Sequence, residues 1–273
     1  MNKVFCRKRR FFSYFPAGCL ILFNLFLFTA CGLDTFYEIE PSVHVGHEPH
    51  YDSIDEAEKY FEFTAVSSAR AYHKNYGSDK VPPIKFLGVE VYYKIYDNYS
   101  RLNSEYSSIM QTQNKDNSSD QAAARMITTY RFQPLRTTSQ LTNSVLILED
   151  DNKDGDYDEI DHKVRIRLVD YLPFEEAQVK YKEEGTGTDE YGKRKDENKG
   201  IPVRSIPNNP TFDFFSQSAD LRPKSDDIDT SITSSGDPDA YYVSMFAVSI
   251  GQDSGYIRIY SNVLYLGSVK IEK

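Results

Sequence analysis

Cysteine is scarce in this chain and confined to its start. The three cysteines, Cys6, Cys19 and Cys31, all lie within the first 31 of 273 residues. The remainder of the chain therefore offers no thiolate metal site, no cysteine nucleophile and no disulfide scaffold. Its fold must rest on an apolar core, for which the chain is long enough.

Several familiar sequence patterns are also missing. Tryptophan is absent, and neither a Gly-x-Ser-x-Gly elbow nor a glycine-rich phosphate-binding loop occurs. The main apolar stretch covers residues 17–30 and is interrupted by Asn24, whereas a membrane-spanning helix needs about 20 mostly apolar residues. We therefore expect no retained transmembrane helix at this stretch, and the sequence identifies no catalytic residue.

Basic residues are in deficit. The formal net charge is −9, from 32 basic and 41 acidic residues. The first thirty residues hold five of the basic residues and none of the acidic ones, so their removal takes the net charge to −14. An acidic surface repels phosphate backbones, which disfavours nucleic acid as a partner.

The first thirty residues have the layout of a secretory signal peptide. A basic start, with Lys3 and the cluster at 7–10, is followed by an apolar core at 20–28 and the small residues Thr29 and Ala30. Cys31 comes directly after. This order predicts export from the cytoplasm and cleavage near Ala30.

The residues around Cys31 resemble the lipobox of bacterial lipoproteins. Leu27, Ala30 and Cys31 match it, and Phe28 is similar to the relaxed lipoboxes of spirochaete lipoproteins. The resemblance implies cleavage before Cys31, a diacylglycerol on its sulfur and further acylation, for example by palmitate. Two or more acyl chains give stable membrane anchoring. An ordinary secretory peptide with a chance cysteine is the alternative.

The resemblance and the composition together suggest three regions. Residues 1–30 are expected to be the lipoprotein signal peptide and residues 31–52 a lipid-anchored tether. Residues 53–273 are expected to form a β-sandwich domain, with two subdomains as an alternative to one. The implied location is the bacterial cell envelope, with the domain facing either the periplasm or the cell surface.

The composition and the alternation of apolar residues predict an all-β fold. Aromatic residues make up 14%, chiefly 21 Tyr and 17 Phe, and these favour strands. The clearest strand is 89–96, where Val89, Val91, Tyr93 and Ile95 alternate with polar or tyrosine positions. Further predicted strands are 60–66, 126–132, 144–148, 164–169, 241–250, 256–260 and 263–271. Segments 103–121, 183–200 and 223–239 are predicted to be long polar loops.

These elements favour an antiparallel β-sandwich of immunoglobulin or fibronectin type III character. The nine residues 88–96 resemble the tyrosine-bearing strand of fibronectin type III-like sandwiches. The core tryptophan common in that family is absent here. The resemblance concerns the architecture and not the function.

An acidic segment provides the strongest candidate metal site. Its oxygen-bearing residues follow the pattern Asp-x-Asn-x-Asp-Gly and resemble an EF-hand-like calcium loop. Ca²⁺ prefers six to eight hard oxygen ligands, and the glycine permits a sharp turn. The candidate ligands are Asp150, Asn152, Asp154, Asp156, Asp158 and Asp161. The alternative is a plain hairpin in which strand 144–148 returns as strand 164–169 through the Asp154-Gly155 turn.

Two other groups of residues have ligand-binding chemistry. His44, His47 and His50 have metal-binding side chains, but a polar tether with chance histidines is the favoured interpretation. Tyrosines at 92, 96, 256 and 260 have rings that can stack on sugars or on a protein partner, or pack inside the fold. The ligand itself is unknown from sequence.

The sequence thus predicts a lipid-anchored envelope or surface lipoprotein that binds a protein or glycan without catalysis. One alternative is an envelope polysaccharide hydrolase, which would need two carboxyl groups about 5–10 Å apart across a cleft. The other is a periplasmic structural or assembly lipoprotein.

Overall fold

The structure is a computed structural model. It describes residues 39–43, 46–53, 55–67, 84–113, 120–139, 146–149, 161–170, 176–183, 198–204, 206, 214, 222–253 and 255–273. The predicted signal peptide, Cys31, five of the six candidate calcium ligands and most of the predicted loop 183–200 lie outside these residues.

Strands dominate the described chain. They are β1 (Phe61–Ala65), β2 (Ile84–Tyr96), β3 (Gln133–Pro134), β4 (Arg136–Thr137), β5 (Leu146–Glu149), β6 (His162–Arg167), β7 (Gln178–Glu183), β8 (Asn198–Gly200), β9 (Pro202–Val203), β10 (Thr230–Ser231), β11 (Ala240–Asp253), β12 (Arg258–Tyr260) and β13 (Leu264–Glu272). The helical elements are a 3₁₀ turn (Glu56–Glu58), α1 (Tyr99–Gln111), α2 (Gln121–Ala124) and a π-helix (Arg125–Thr129).

Two sheets form the main architecture, which confirms the predicted all-β, sandwich-like fold. The first, here called the central sheet, is built on the long antiparallel pair β2 and β11. Strands β5, β3 and β10 pair with β2, and β13 and β12 pair with β11. The second sheet has the order β1-β6-β7-β8 and is antiparallel throughout. Strands β4 and β9 form a separate short pair.

The larger apolar core contains residues of both sheets. Phe61 and Phe63 of β1 and Val164 and Ile166 of β6 are fully buried there, because alternate residues of a strand share one face. They lie in one cluster with Val89, Val91, Tyr93 and Ile95 of β2, the four residues predicted to share its core face.

A second core covers the opposite face of the central sheet. It combines Tyr92 and Tyr96 of β2 with Leu102 and Ile109 of α1 and with Met126 of the π-helix. The central sheet is therefore buried on both faces, by strands on one side and by a helical layer on the other.

The prediction of a long loop at 103–121 is wrong for its first part, because α1 occupies residues 99–111. Asn98 caps this helix, and its Oδ1 accepts the Arg101 N–H at 3.1 Å. The helix buries only Leu102, Glu105 and Ile109. Its exposed face carries Ser100, Asn103 and Ser104, which give the segment the composition of a polar loop.

The predicted strand 126–132 is also wrong, because residues 125–129 form the π-helix. The β-branched residues Ile127, Thr128 and Thr129 favour a strand locally. In the π-helix, Met126 is buried against the sheet. The Thr128 hydroxyl donates to the Ala124 carbonyl at 2.6 Å. Helix α2, over residues 121–124, directly precedes the π-helix.

The plain hairpin considered for segments 144–148 and 164–169 is also wrong. Strand β5 pairs with β2 in the central sheet, whereas β6 lies between β1 and β7 in the other sheet. The acidic segment between them therefore connects the two sheets. A local turn dipeptide does not specify which strands pair, because pairing depends on distant partners.

The end of the segment predicted as a tether packs on the folded body. Ile39 is buried in the larger core, and Val43 forms an antiparallel bridge with Thr64 of β1. Pro49 packs closely on Gly267 of β13. A Cβ added to Gly267 would lie 2.9 Å from the Cδ of Pro49. Gly267 also has a φ of +106°, which favours glycine.

Candidate binding site

The most exposed large apolar side chains of the described residues are neighbours in the turn between β11 and β12. Tyr256 is 82% exposed and Ile257 is 65% exposed. The register pairs Gly251 with Ile259 and Gln252 with Arg258, so the hairpin turns between Asp253 and Ile257. We call Asp253 and residues 255–258 the hairpin tip.

The backbone of the hairpin tip is held by one carboxylate. Asp253 Oδ1 accepts the N–H groups of Gly255 and Ile257, each at 2.8 Å. The Asp253 N–H donates to the Ile257 carbonyl, and the Tyr256 N–H donates to the Asp253 carbonyl, both at 3.0 Å. Aspartate favours such turns because its side chain bonds to backbone N–H groups a few residues along the chain.

Tyr256 has a backbone conformation that is costly for a tyrosine. Its φ is +64°, in the left-handed region, where a residue with a Cβ loses about 1–2 kcal/mol. Arg131, with a φ of +58°, is the other such non-glycine residue in the described chain. Strained backbone of this kind is enriched at functional sites.

The tip continues into an ion pair with the central sheet. Arg258, whose side chain is 46% exposed, donates from Nη1 to Oε1 of the fully buried Glu90 at 2.8 Å. Tyr92 donates its hydroxyl to the other oxygen of Glu90 at 2.5 Å. Burial, followed by the charge of Glu90, raises the pKa of Tyr92 well above its ordinary value. The phenol therefore stays protonated as a donor.

The geometry of the hairpin tip favours recognition. It presents an aromatic ring, an aliphatic side chain and part of a guanidinium on a closed, hydrogen-bonded turn. Tyr and Arg are enriched among residues that contribute most to binding energy at protein interfaces. Of the four tyrosines considered for stacking, Tyr92 and Tyr96 are buried and Tyr260 is half-buried, which leaves Tyr256 as the exposed ring.

The candidate calcium ligands are largely outside the described residues. Asp161 is described, and its Oδ1 accepts the Ser67 N–H at 2.8 Å. Asp150, Asn152, Asp154, Asp156 and Asp158 fall in the segment not described. Within the described residues no group of three or more His, Cys, Asp or Glu side chains is placed to hold a metal ion.

The described histidines have separate partners. His47 stacks on Tyr60 with ring centroids 4.0 Å apart, and its Nε2 lies 2.6 Å from the Glu58 carbonyl. His50 bonds through Nδ1 to the carboxylate of Asp52. His44 lies outside the described residues.

Buried carboxylates form internal ion pairs that sequence reasoning missed. Arg204, fully buried, donates from Nε and Nη2 to Asp229 at 2.8 and 2.6 Å, and Tyr93 donates its hydroxyl to the same carboxylate. Lys94 donates to Glu105 at 2.8 Å beneath α1. Glu105 falls in a segment predicted as loop, and nothing local marks Arg204, so no sequence signal pairs them with their partners.

Three comparisons with known proteins gave no match for the chain. No protein-family model matches it, and no curated protein or solved structure gives a significant match. Within the described residues, no helix has the length and apolarity needed to cross a membrane.

Proposed function

We propose that this chain is a lipid-anchored, non-catalytic binding module of a bacterial cell envelope, and that the hairpin tip is its contact site. The observation that carries the binding role is the exposure of Tyr256 and Ile257 on a turn that Asp253 holds closed. The anchor rests on the lipobox resemblance around Cys31.

Preorganisation supports a binding role for this turn. A loop that is already ordered loses less conformational freedom when a partner binds, so more of the contact energy appears as affinity. Here the side chain of Asp253 and the ladder to β11 order the backbone before any partner arrives. The left-handed Tyr256 costs stability, and a contact function explains why that position carries a large exposed ring.

The binding role is tested with variants that remove the contact but not the turn. Wild type is screened on arrays of glycans, peptides and matrix proteins, where we expect saturable retention without turnover. Tyr256→Gly and Ile257→Ser should each reduce retention at least about tenfold, since residues that dominate an interface contribute 1.4 kcal/mol or more. A captured ligand that is degraded by the protein would favour the hydrolase alternative.

Arg131→Gly is the matched control, because it relieves the same left-handed conformation at an exposed position outside the tip. Both glycine variants should leave the free energy of unfolding unchanged or raise it by up to about 1 kcal/mol. Only Tyr256→Gly should lose binding. Equal retention by wild type, Tyr256→Gly and Arg131→Gly would contradict the proposal.

The anchor and its orientation are tested in cells. Metabolic labelling with a palmitate analogue should mark the wild-type protein and not Cys31→Ser. Protease shaving of intact cells, with a periplasmic protein followed in parallel, then shows which side the domain faces. A domain that stays whole until the outer membrane is opened, although cleavable when purified, would place its partner in the periplasm.

A further inference from the structure

Strand β12 has one edge paired with β11 and one edge that faces away from it. The Asp253 N–H donates to the Ile257 carbonyl, and the Ser261 N–H donates to the Ser249 carbonyl, each at 3.0 Å. In an antiparallel ladder the hydrogen-bonded pairs alternate with non-hydrogen-bonded ones. The backbone groups of Ile257, Ile259 and Ser261 therefore point to β11.

By the same alternation, the N–H and C=O groups of Arg258 and Tyr260 point outward. Arg258 lies opposite Gln252 and Tyr260 opposite Ile250, the two non-hydrogen-bonded positions of the pair. Within the part of the chain that the structure describes, β12 pairs with β11 and with no other strand. Two donors and two acceptors therefore lie in line along this edge, directly beside the exposed Tyr256 and Ile257.

We infer that the outer edge of β12 captures an extended peptide strand from a protein partner. This inference rests on the proposed function and names the class of partner for the same site. An extended backbone presents donors and acceptors at the spacing that this edge offers, and strand addition of this kind is a recurring mode of peptide recognition. Affinity then comes from the main-chain bonds, and Tyr256 and Ile257 supply an apolar contact for one side chain of the peptide.

The net charge of the chain indicates which peptides the β12 edge would bind. The chain has a formal net charge of −9, and Arg258 is already paired with Glu90, so a neutral or basic peptide meets less repulsion than an acidic one. The same charge makes a second copy of this chain a poorer occupant of the edge, since two copies repel each other.

The test uses the full-length protein in detergent and a random linear peptide library displayed on phage. Peptides retained by wild type and lost by Tyr256→Gly are synthesised, and amide hydrogen exchange is measured with and without them. In the free protein, the Arg258 and Tyr260 amides should exchange fast and the Ile257, Ile259 and Ser261 amides slowly. Bound peptide should slow Arg258 and Tyr260 at least about tenfold.

A pair of variants separates the backbone bond from the side chain. Arg258→Ala keeps the outward N–H, and Arg258→Pro removes it without removing a bond to β11. Peptide affinity should fall at least about fivefold further in Arg258→Pro than in Arg258→Ala, the loss expected for one hydrogen bond. If the proline variant does not fold, the exchange experiment on wild type decides whether the peptide adds to β12 as a strand.

The outcomes distinguish this inference from the proposed function. Tyr256-dependent peptides that leave the Arg258 and Tyr260 amides unprotected would overturn strand addition but support binding at the tip. A library without Tyr256-dependent binders would overturn the peptide as partner and leave the glycan and matrix screen to decide the proposed function. Protection of these amides that depends on protein concentration without peptide would assign the edge to a second copy.

Discussion

The two faces of strand β2 differ in chemistry but not in burial. Val89, Val91, Tyr93 and Ile95 face the second sheet, and all are at most 1% exposed. The other face carries Glu90, Tyr92, Lys94 and Tyr96, a set that an alternating sequence pattern assigns to solvent, yet each of them is at most 6% exposed. The apolar face is buried mainly by packing, with one hydrogen bond from the Tyr93 hydroxyl to Asp229. The polar face is buried because other elements bring charged and hydrogen-bonding partners to it.

Those partners come from the helix that directly follows β2 and from segments much further along the chain. Lys94 donates to Glu105 of α1 and to the Tyr130 carbonyl at the end of the π-helix, at 2.8 and 2.7 Å. Glu90 accepts from Arg258 of β12. A buried polar group costs little only when it is hydrogen-bonded, so these contacts are required for the helical layer to lie on the sheet. The polar face therefore depends on each partner being present.

The largest effect is expected where that dependence is broken. Glu105→Ala leaves the Lys94 ammonium without its carboxylate and the Tyr96 hydroxyl without its acceptor at 2.9 Å. Removing one member of a buried ion pair costs about 3–5 kcal/mol in the free energy of unfolding, which urea titration measures. The double variant Lys94→Met with Glu105→Leu should recover part of the loss. A loss below about 1 kcal/mol in Glu105→Ala would show that this pair is not needed for burial of the face.

The second effect is a loss of stability at alkaline pH. Burial raises the pKa of Tyr92, Tyr96 and Tyr265 well above the ordinary value and raises that of Tyr242 to about 12, and all four belong to the core beneath the helical layer. Each folded-state pKa exceeds the unfolded value of about 10, so this stabilisation is complete below pH 10 and is lost as pH rises through the folded values. Tyrosinate absorbance and circular dichroism should therefore change together above about pH 10. Early ionisation of these four tyrosines in a folded protein would contradict their burial.

A third, smaller effect concerns calcium. The acidic segment of residues 150–161 joins β5 of the central sheet to β6 of the other sheet, so an ion bound there would link the two sides of the apolar core. At a calcium concentration about ten times Kd, binding adds about 1.4 kcal/mol to the free energy of unfolding. Tm should rise when calcium is added to the chelated protein and should not rise in Asp154→Asn. If the Tm of wild type does not change on adding millimolar calcium, the segment does not bind the ion.

The smallest effect is expected on the apolar face. Ile95→Val removes one methylene from a fully buried position and should cost about 1 kcal/mol in urea unfolding. No charged partner is left behind there, so the loss is limited to packing. A cost equal to that of Glu105→Ala would mean that the two faces do not differ in the way proposed.

The strands with strong alternation were predictable, and the helical layer was not. The pattern at 89–96 predicts β2, and the runs at 241–250 and 263–271 predict β11 and β13, because alternation reflects a local requirement of a buried face. In helix α1 only Leu102 and Ile109 are fully buried apolar residues, while Tyr99, Tyr106 and Met110 are partly buried against the same core. The serines between them give the segment the composition of a loop, and the sheet supplies the surface that orders the helix.

The candidate binding site was predictable only in part. The sequence marks Tyr256 as one of four tyrosines suited to stacking, and burial then removes Tyr92 and Tyr96 from that set. Neither the left-handed conformation of Tyr256 nor the open edge of β12 has a sequence pattern. Both follow from how Asp253 closes the turn and which strands pair with β11.

The β-rich class, the acidic character, the lack of cysteine chemistry after Cys31 and the strands with clear alternation all follow from the sequence. These properties depend on composition and on contacts between near neighbours. Only the three-dimensional fold shows that β5 and β6 belong to different sheets, that both faces of β2 are buried and that Tyr256 is exposed beside a strand edge with which no described strand pairs. Each of these features depends on contacts between residues far apart in the chain. A local sequence pattern does not specify which distant residues make those contacts.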